Sequence, residues 1–146
     1  MAREDFKFSH QMRVRYSEID AQGVVFNAHY LTYFDVGHTE YMREMNFDYS
    51  GMVKETNVDF HLAKATVEYK QPIKFDTLMD VCVRVSRLGN SSMTLVFEIY
   101  EAGTDRLLAS GENVDVCVNL ATHKPVPIPE GFANVMRAFE GSDLSG

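Results

Sequence analysis

This sequence of 146 residues lacks the features that mark several classes of protein. It has 14 Lys and Arg residues against 21 Asp and Glu residues, a formal net charge of -7, so no global positive field attracts nucleic acid or an anionic membrane. No apolar run is long enough to cross a bilayer, and the first residues lack the apolar segment of a signal peptide. We therefore expect a cytoplasmic protein with no nucleic-acid partner and no membrane insertion.

Motifs of several enzyme classes are also missing. The sequence has no Gly-x-Ser-x-Gly, no P-loop and no dinucleotide-binding fingerprint. No two of its histidines have the His-x-x-x-His spacing of a metal site, so we expect no metal. The two cysteines, Cys82 and Cys117, lie inside strand-like runs, and we interpret them as small core residues rather than as a disulfide.

The hydrophobic pattern predicts both strands and helices. Residues 6–16 alternate like a half-buried strand, and residues from about Asn27 to Asn46 repeat at helical spacing. Gly37, inside that helix, indicates close approach by another backbone. Residues 47–56 are predicted to be an irregular connection with room for one short turn of helix. Further strand-like runs lie at about 58–71, 78–88, 92–101 and 107–120, and a short helix is predicted at 130–140.

These elements define the predicted architecture. Strands that follow one another through short turns pair antiparallel, and the long helix is available to cover the apolar face of their sheet. We predict an α+β fold in which a curved antiparallel sheet of five to six strands wraps around one long central helix. Residues 1–140 form a single domain in this prediction, and residues 141–146 form a flexible tail.

The stretch between the first strand and the long helix is rich in chemical groups. It carries Glu18, Asp20 and Gly23 directly before the predicted helix start. The first N–H groups of a helix have no internal partner and can hold an oxyanion, so a carboxylate beside them is suited to acyl transfer. By position alone, Asp20 or Asn27 could equally cap the helix, and Glu18 is interpreted as a solvated loop carboxylate.

Several segments of the chain match the pattern of one enzyme family. They are Val14-Arg15-Tyr16, Asp20-x-x-Gly23-Val24-Val25-Phe26-Asn27-x-x-Tyr30, Tyr33-Phe34, Thr39-Glu40-Tyr41-Met42-Arg43, Val67-Glu68-Tyr69-x-x-Pro72-Ile73, Asp80, Leu88-Gly89-x-Ser91-Ser92 and Lys124-Pro125-x-Pro127-Ile128-Pro129. In this order, over roughly residues 12–130, the chain resembles the hot-dog-fold acyl-CoA thioesterases of the 4-hydroxybenzoyl-CoA thioesterase and YbgC-like type.

The resemblance implies an activity and an assembly. Members hydrolyse the thioester of an acyl-coenzyme A, use no metal or redox cofactor, and form homodimers, often homotetramers, with the site at the subunit interface. The family's catalytic aspartate falls on Asp20, which the resemblance makes a nucleophile or a general base. Gly23 belongs to the same loop motif and is predicted as part of the catalytic site. The oxyanion donor, a backbone N–H at the helix start, falls near Asn27. Relatives often have threonine where Ile19 stands and histidine where Asn27 stands, so no histidine role is transferred.

Substrate contacts are predicted for a wider set of residues. Aromatic side chains near the helix start are candidates for an acyl pocket, and cations and hydroxyls at strand ends are candidates for the nucleotide of coenzyme A. The predicted substrate-binding residues are Phe26, Ala28, Tyr30, Lys70, Arg87, Ser91, Ser92 and Lys124.

Two other functions remain open from the sequence. A hot-dog hydratase or dehydratase acting on acyl thioesters would need a histidine in the loop, which only an inward-turned His29 could supply. A non-enzymatic acyl-CoA-binding protein would use Asp20 only as a cap.

Overall fold

The computed structural model describes residues 2–146, so Met1, the first residue of the predicted domain, lies outside the described residues. Within that range it contains five strands and three α-helices. They are β1 (Ser9–Arg13), α1 (His29–Glu44), α2 (Tyr49–Thr56), β2 (Val58–Tyr69), β3 (Leu78–Leu88), β4 (Ser92–Glu101), β5 (Leu107–Asn119) and α3 (Glu130–Glu140). The predicted bounds of β3, β4 and α3 are confirmed.

The strands form one antiparallel sheet in the order β1-β3-β4-β5-β2. β1 pairs with β3, with Ser9 opposite Cys82 and Arg13 opposite Leu78. Short turns connect β3, β4 and β5, which favours pairing between sequence neighbours. The predicted antiparallel sheet is thereby confirmed, and α1 is its central helix. None of the helices within residues 2–146 has the length and apolar character needed to span a membrane.

The chain divides into two compact units, and each has its own buried side chains. The first comprises the described residues up to Tyr41, Thr66–Arg84 and Phe97–Gly111. Its core includes Phe34, which stacks on Phe97 with ring centroids 4.5 Å apart. Aromatic stacking of this kind adds to the free energy gained by burial.

The second unit comprises Met42–Ala65, Val85–Val96 and Glu112–Gly146. Its core is centred on Phe132 of α3, a fully buried residue. The aromatic side chains of Phe47, Tyr49 and Phe60 surround the Phe132 ring with centroids 5.0–6.3 Å away. Burial of these rings holds α3 in the unit.

The structure corrects the predicted first strand. Its pairing covers residues 9–13 rather than 6–16, because the chain then turns into a 3₁₀-helix at Tyr16–Glu18. Tyr16 was expected on the buried face, but it is 76% exposed. An alternating pattern continues into the turn and cannot show where the strand ends.

Residues 47–56 are more helical than the predicted irregular connection with one short turn of helix. They contain α2, whose N-cap residue Asp48 accepts a 3.0 Å hydrogen bond from the Gly51 N–H. The helix ends at Asn57, which takes a left-handed conformation with φ of 57°. A capping side chain and a left-handed stop stabilise a helix too short to be favoured by propensity alone.

Gly37 of α1 is approached by side chains and not, as expected, by another backbone. A Cβ atom at Gly37 would lie 2.8 Å from Cγ1 of Val81 and 3.0 Å from Cγ2 of Val83. Both valines belong to β3. The glycine therefore lets the helix lie close to the branched side chains of that strand.

The last residues have backbone partners in the second unit. Gly141–Asp143 form a 3₁₀-helix, the Leu88 N–H donates to the Ser145 carbonyl at 2.9 Å, and the Ser145 N–H donates to the Ser86 carbonyl at 3.1 Å. Both the flexible tail at 141–146 and the single domain at 1–140 stay predictions.

A glycine on β5 makes room for the central helix, and its substitution tests this packing. A Cβ at Gly111 would lie 2.3 Å from the Phe34 ring and 2.5 Å from the Thr66 carbonyl oxygen. Because the carbonyl belongs to a strand and cannot move freely, we expect Gly111→Ala to lower the free energy of unfolding by about 1–3 kcal/mol in urea titrations.

The matched control is Gly131→Ala in α3, where nothing lies within 4 Å of the new Cβ. Alanine favours the helix, so this variant should be unchanged or more stable by up to about 1 kcal/mol. Equal stability of the two variants would contradict the packing described for Gly111.

Candidate active site

The loop before α1 is a closed turn. The Asp20 N–H donates to the Val24 carbonyl, and the Gly23 N–H donates to the Asp20 carbonyl, each at 2.9 Å. Gly23 has φ of +78°, a left-handed conformation that favours glycine, while no atom lies within 4 Å of a Cβ placed there. Gly23 therefore serves the turn through its backbone and not through close contact.

The Asp20 carboxylate is half-buried and only partly used by the turn. Its Oδ1 atom accepts a 2.8 Å hydrogen bond from the Gln22 N–H. Its Oδ2 atom accepts no hydrogen bond from any residue in the range 2–146. One carboxylate oxygen is thus held in place, and the other is available to a ligand.

The start of α1 presents free donors. The helix begins at His29, two residues later than predicted. The His29 N–H donates to the Phe26 carbonyl at 2.9 Å. The N–H groups of Asn27 and Ala28 donate to no described residue, and both residues are exposed. The Asn27 side chain makes no capping hydrogen bond among the described residues. These two N–H groups lie at the positive end of the helix dipole.

A cavity of about 390 Å³ in the first unit collects these groups. It contains both the free carboxylate and part of the helix start. The residues that line it are Asp20, Gln22, Val24, Val25, Phe26, Asn27, Tyr30, Tyr69, Lys70, Gln71 and Pro72. A carboxylate, an unpaired N–H group at a helix start and aromatic walls in one cavity are the components expected of an acyl-transfer site.

Comparison with known proteins identifies the family. The family described as "Thioesterase-like superfamily" matches residues 14–136. The acyl-CoA thioesterase YbgC of Haemophilus influenzae is 32% identical over 126 residues, which cover 86% of this chain and 91% of that protein. The chain belongs to the thioesterase-like superfamily.

Solved structures agree with this assignment. A protein of Pseudomonas aeruginosa strain PAO1 has a TM-score of 0.83 at 27% identity, over 97% of this chain and 96% of that one. A 1,4-dihydroxy-2-naphthoyl-CoA thioesterase from Synechocystis has a TM-score of 0.81 at 18% identity, over 88% of this chain and 94% of that one, and shows the fold alone. The predicted hot-dog fold is confirmed.

The cavity of the first unit includes some of the predicted site residues and not others. Asp20, Phe26, Asn27, Tyr30 and Lys70 line it. Gly23 and Ala28 belong to the same loop but are not part of its lining. The remaining predicted residues, Arg87, Ser91, Ser92 and Lys124, belong to the second unit.

Within the second unit these residues have separate surroundings. Arg87 lines a different cavity, of about 460 Å³, together with Arg137. The Ser91 carbonyl accepts a 2.7 Å hydrogen bond from the Cys117 N–H of β5. Ser92 begins β4, and Lys124 is exposed. Their predicted contacts with the nucleotide stay predictions.

No histidine is among the residues that line the described cavity. His29 is half-buried beside the Phe26 ring, with centroids 6.2 Å apart, and is not among the residues that line the cavity. Residues 2–146 contain no group of three or more His, Cys, Asp or Glu side chains placed to hold a metal ion. Cys82 and Cys117 are both buried and unpaired.

The interpretation of Glu18 as a solvated carboxylate is wrong. Glu18 is 2% exposed, and its side chain accepts hydrogen bonds from the Arg15 backbone at 2.8 Å, the Arg15 guanidinium at 3.0 and 3.1 Å, and the Tyr33 hydroxyl at 3.0 Å. The Glu18 carbonyl also accepts from the Phe26 N–H at 2.9 Å. Glu18 therefore fastens the loop to α1 and to the end of β1.

These contacts alter the acidity of both partners. Burial raises the pKa of the Glu18 carboxyl, but the hydrogen bonds and charge of Arg15 and the hydroxyl of Tyr33 outweigh it, so the pKa lies below its ordinary value. Burial and the bond to Glu18 raise the pKa of Tyr33. Two sequence signals pointed to this cluster: an Arg-x-x-Glu spacing at 15–18, and a tyrosine in the apolar stripe of α1 whose hydroxyl needs a partner.

The cavity lining also includes six residues that were not predicted as site residues: Gln22, Val24, Val25, Tyr69, Gln71 and Pro72. Of these, Tyr69 contacts the helix start, because its hydroxyl donates to the Asn27 carbonyl at 3.2 Å. Tyr69 lies in one of the segments on which the family resemblance rests. Its contact with Asn27 joins residues 42 positions apart and was not readable from local pattern.

Removal of the Glu18 charge tests its role in the loop. We expect Glu18→Gln to lower the free energy of unfolding by about 1–3 kcal/mol at neutral pH, because a buried ion pair and its hydrogen bonds are lost. Since the folded-state pKa is depressed, the stabilisation is present above the unfolded pKa and is lost as the pH falls through the folded value. Urea titrations between about pH 3 and pH 7 measure both effects, because this range includes the ordinary pKa of a glutamate carboxyl.

Tyr33→Phe is the companion variant, because it removes one hydrogen bond and keeps the ion pair with Arg15. Its loss of stability should be smaller than that of Glu18→Gln. A constant difference between wild type and Glu18→Gln across the acid range would contradict the assignment of a depressed pKa.

Proposed function

We propose that this thioesterase hydrolyses the thioester of an acyl-coenzyme A, with Asp20 as its catalytic carboxylate and the N–H groups at the start of α1 as its oxyanion hole. The observation that carries the proposal is the shared cavity, which is lined both by Asp20, with its free oxygen, and by Asn27, whose N–H is one of the two unpaired donors at the helix start. The thioesterase names of its relatives, including the YbgC protein of Haemophilus influenzae, support the substrate class.

The chemistry requires few groups. A thioester carbonyl is electrophilic and a thiolate is a good leaving group, so one carboxylate and an oxyanion hole suffice. During attack, negative charge develops on the carbonyl oxygen, and the Asn27 and Ala28 N–H groups stabilise it. The C–S bond then breaks, the coenzyme A thiolate takes up a proton, and the carboxylic acid leaves.

Asp20 has two possible roles in this scheme. As a nucleophile, its Oδ2 attacks the thioester carbon, expels the thiolate and forms a mixed anhydride that water then hydrolyses. As a general base, it takes a proton from the water molecule that attacks the thioester carbon. Both roles need the unpaired oxygen, and the hydrogen bond from Gln22 to Oδ1 orients the carboxylate for either.

The rest of the cavity suits the remainder of the substrate. Phe26 and Tyr30 supply aromatic surface to an acyl group. Lys70 supplies a cation to a phosphate of coenzyme A, although its ammonium group now pairs with Glu68 at 2.7 Å. Arg87, Ser91, Ser92 and Lys124 remain candidates for further nucleotide contacts, and no metal or redox cofactor is part of the proposal.

We also propose a homodimer that forms the site at its interface, and a homotetramer as the full assembly. Large apolar side chains are exposed around the loop and the cavity in the first unit, among them Phe26 at 47% and Tyr69 at 53%. Surfaces of this kind favour burial by a partner.

The buried, unpaired cysteines fit a reducing compartment, which supports a cytoplasmic location.

Asp20→Asn tests the catalytic assignment. The amide keeps the shape of the side chain but is a poor nucleophile and base, so we expect kcat to fall by about 100-fold or more. The measurement is free-thiol release from a panel of aromatic, short-chain and medium-chain acyl-CoA substrates. The panel also identifies the acyl group.

Asp76→Asn is the matched control. Asp76 is an exposed loop residue outside the cavity lining, and its φ of +67° is one that asparagine also adopts. It should keep wild-type kcat. Hydrolysis at wild-type rate by Asp20→Asn, with folding verified by circular dichroism, would contradict the role of Asp20.

The assembly has its own test. Sedimentation equilibrium should give a species of two or four times the chain mass of 16.6 kDa. A monomer that retains full kcat at the same concentration would contradict a site completed by a second subunit.

A further inference from the structure

Tyr69 is the last residue of β2 and reaches the helix start with its hydroxyl. That hydroxyl donates to the Asn27 carbonyl at 3.2 Å. The same carbonyl also accepts from the Tyr30 N–H at 3.4 Å. The contact is therefore made to the backbone of the proposed oxyanion hole, and no other described side chain makes it.

The chemistry of the peptide group gives this contact its meaning. The Asn27 carbonyl and the Ala28 N–H belong to one planar, conjugated amide. A donor on the carbonyl oxygen draws electron density toward that oxygen and makes the N–H at the other end a stronger donor, as in any chain of hydrogen bonds. The Ala28 N–H is one of the two donors without a partner among the described residues, and Ala28, although not itself part of the cavity lining, directly follows Asn27, which is.

Tyr69 is held firmly enough to fix the orientation of that amide. The two N–H groups that follow it, those of Lys70 and Gln71, both donate to the buried Leu108 carbonyl at 3.0 Å. The Tyr69 ring packs edge-on against Tyr30, with centroids 4.7 Å apart and planes at 80°. Tyr30 in turn is 3% exposed and belongs to α1. Backbone and ring are thus both fixed while the hydroxyl points to the amide.

We propose that Tyr69 is a positioning residue of the thioesterase, which orients and polarises the Asn27–Ala28 amide so that the Ala28 N–H binds the oxyanion. The inference rests on the proposed function. It gives Tyr69 a role in stabilising the transition state, which the phenol exerts through the amide. The exposure of Tyr69, at 53%, would not by itself indicate such a role. The phenol acts on the amide and does not touch the reacting carbon.

Tyr69→Phe tests the proposal, because it deletes the hydroxyl and keeps the ring that packs on Tyr30. The lost bond is a single neutral hydrogen bond, and it stabilises the oxyanion of the transition state more than the bound substrate. We therefore expect kcat to fall by about three- to tenfold with KM nearly unchanged. Tyr16→Phe is the matched control. Tyr16 is 76% exposed, makes no side-chain hydrogen bond within residues 2–146 and is not part of the cavity lining, so its kcat should equal that of wild type.

A spectroscopic readout separates this role from a merely structural one. The probe is a ketone analogue of the best acyl-CoA substrate, with a methylene in place of the thioester sulfur and an isotope-labelled carbonyl. Bound to wild type, its carbonyl stretch should move to lower frequency than in water, because the N–H polarises it. In Tyr69→Phe the shift should be smaller, and the thermal unfolding midpoint should stay close to that of wild type.

The outcomes are distinguishable from those for Asp20. If Tyr69→Phe matches wild type in kcat and carbonyl frequency while Asp20→Asn is inactive, the role of Tyr69 is overturned and the proposed function stands. A loss of activity that follows only from a lowered unfolding midpoint, with the carbonyl frequency unchanged, also overturns it. If wild type hydrolyses no acyl-CoA, the proposed function and the role of Tyr69 fail together.

Discussion

The buried carboxylate of Glu18 connects three parts of the chain that the site requires. Its side chain binds Arg15 beyond the end of β1 and the Tyr33 hydroxyl in α1, and its carbonyl accepts from Phe26. A charge taken out of water is tolerated only where hydrogen bonds and an opposite charge replace the lost solvation. Because the partners of the carboxylate are Arg15, beyond the strand end, and Tyr33, in the helix, the buried charge is stabilised only when both are in place, and the bond from Phe26 to the Glu18 carbonyl then ties the loop to the same residue.

Two carboxylates that lie two residues apart in this loop therefore have different roles. Glu18 is saturated with hydrogen bonds and holds the loop, whereas Asp20 gives one oxygen to the turn and keeps the other free. A loop that is fixed by one acidic residue can present the next one without using it as a cap. Catalytic side chains on loops need such a rigid support, since small displacements weaken catalysis strongly.

The free donors at the start of α1 follow from the same arrangement. The turn around Gly23 and the bond from Phe26 to Glu18 lead the chain into the helix without a capping side chain, so the N–H groups of Asn27 and Ala28 are left for a ligand. An uncapped helix start costs stability, whereas the stacking of Phe34 of α1 on Phe97 stabilises the position of the helix in the same unit. The thioesterase thus leaves unsatisfied the backbone donors that we propose as its oxyanion hole.

Much of the fold was predictable from local patterns. Alternation located β3 and β4 and their turn, because a strand with one apolar face repeats every two residues, and the Asp-x-x-Gly loop before a helix identified the candidate site. The start of α1 and the end of β1 were misplaced by two or three residues, since amphipathic patterns continue past the last hydrogen bond of an element. The pattern allowed only one short turn of helix where α2 lies, because the stability of α2 comes from the Asp48 cap and not from a long apolar stripe.

The sequence by itself therefore determined the order of strands and helices, the position of the acidic loop and, through its motifs, the family. Only the tertiary structure decided which acidic residue is structural and which is free. Glu18 and Asp20 have the same local surroundings in the sequence, and they differ because Tyr33 and Arg15 reach one of them and not the other. The contact of Tyr69 with Asn27 likewise depends on where β2 ends relative to α1 within the first unit, since hydrogen bonds between distant residues are set by packing and leave no periodic signal in the chain.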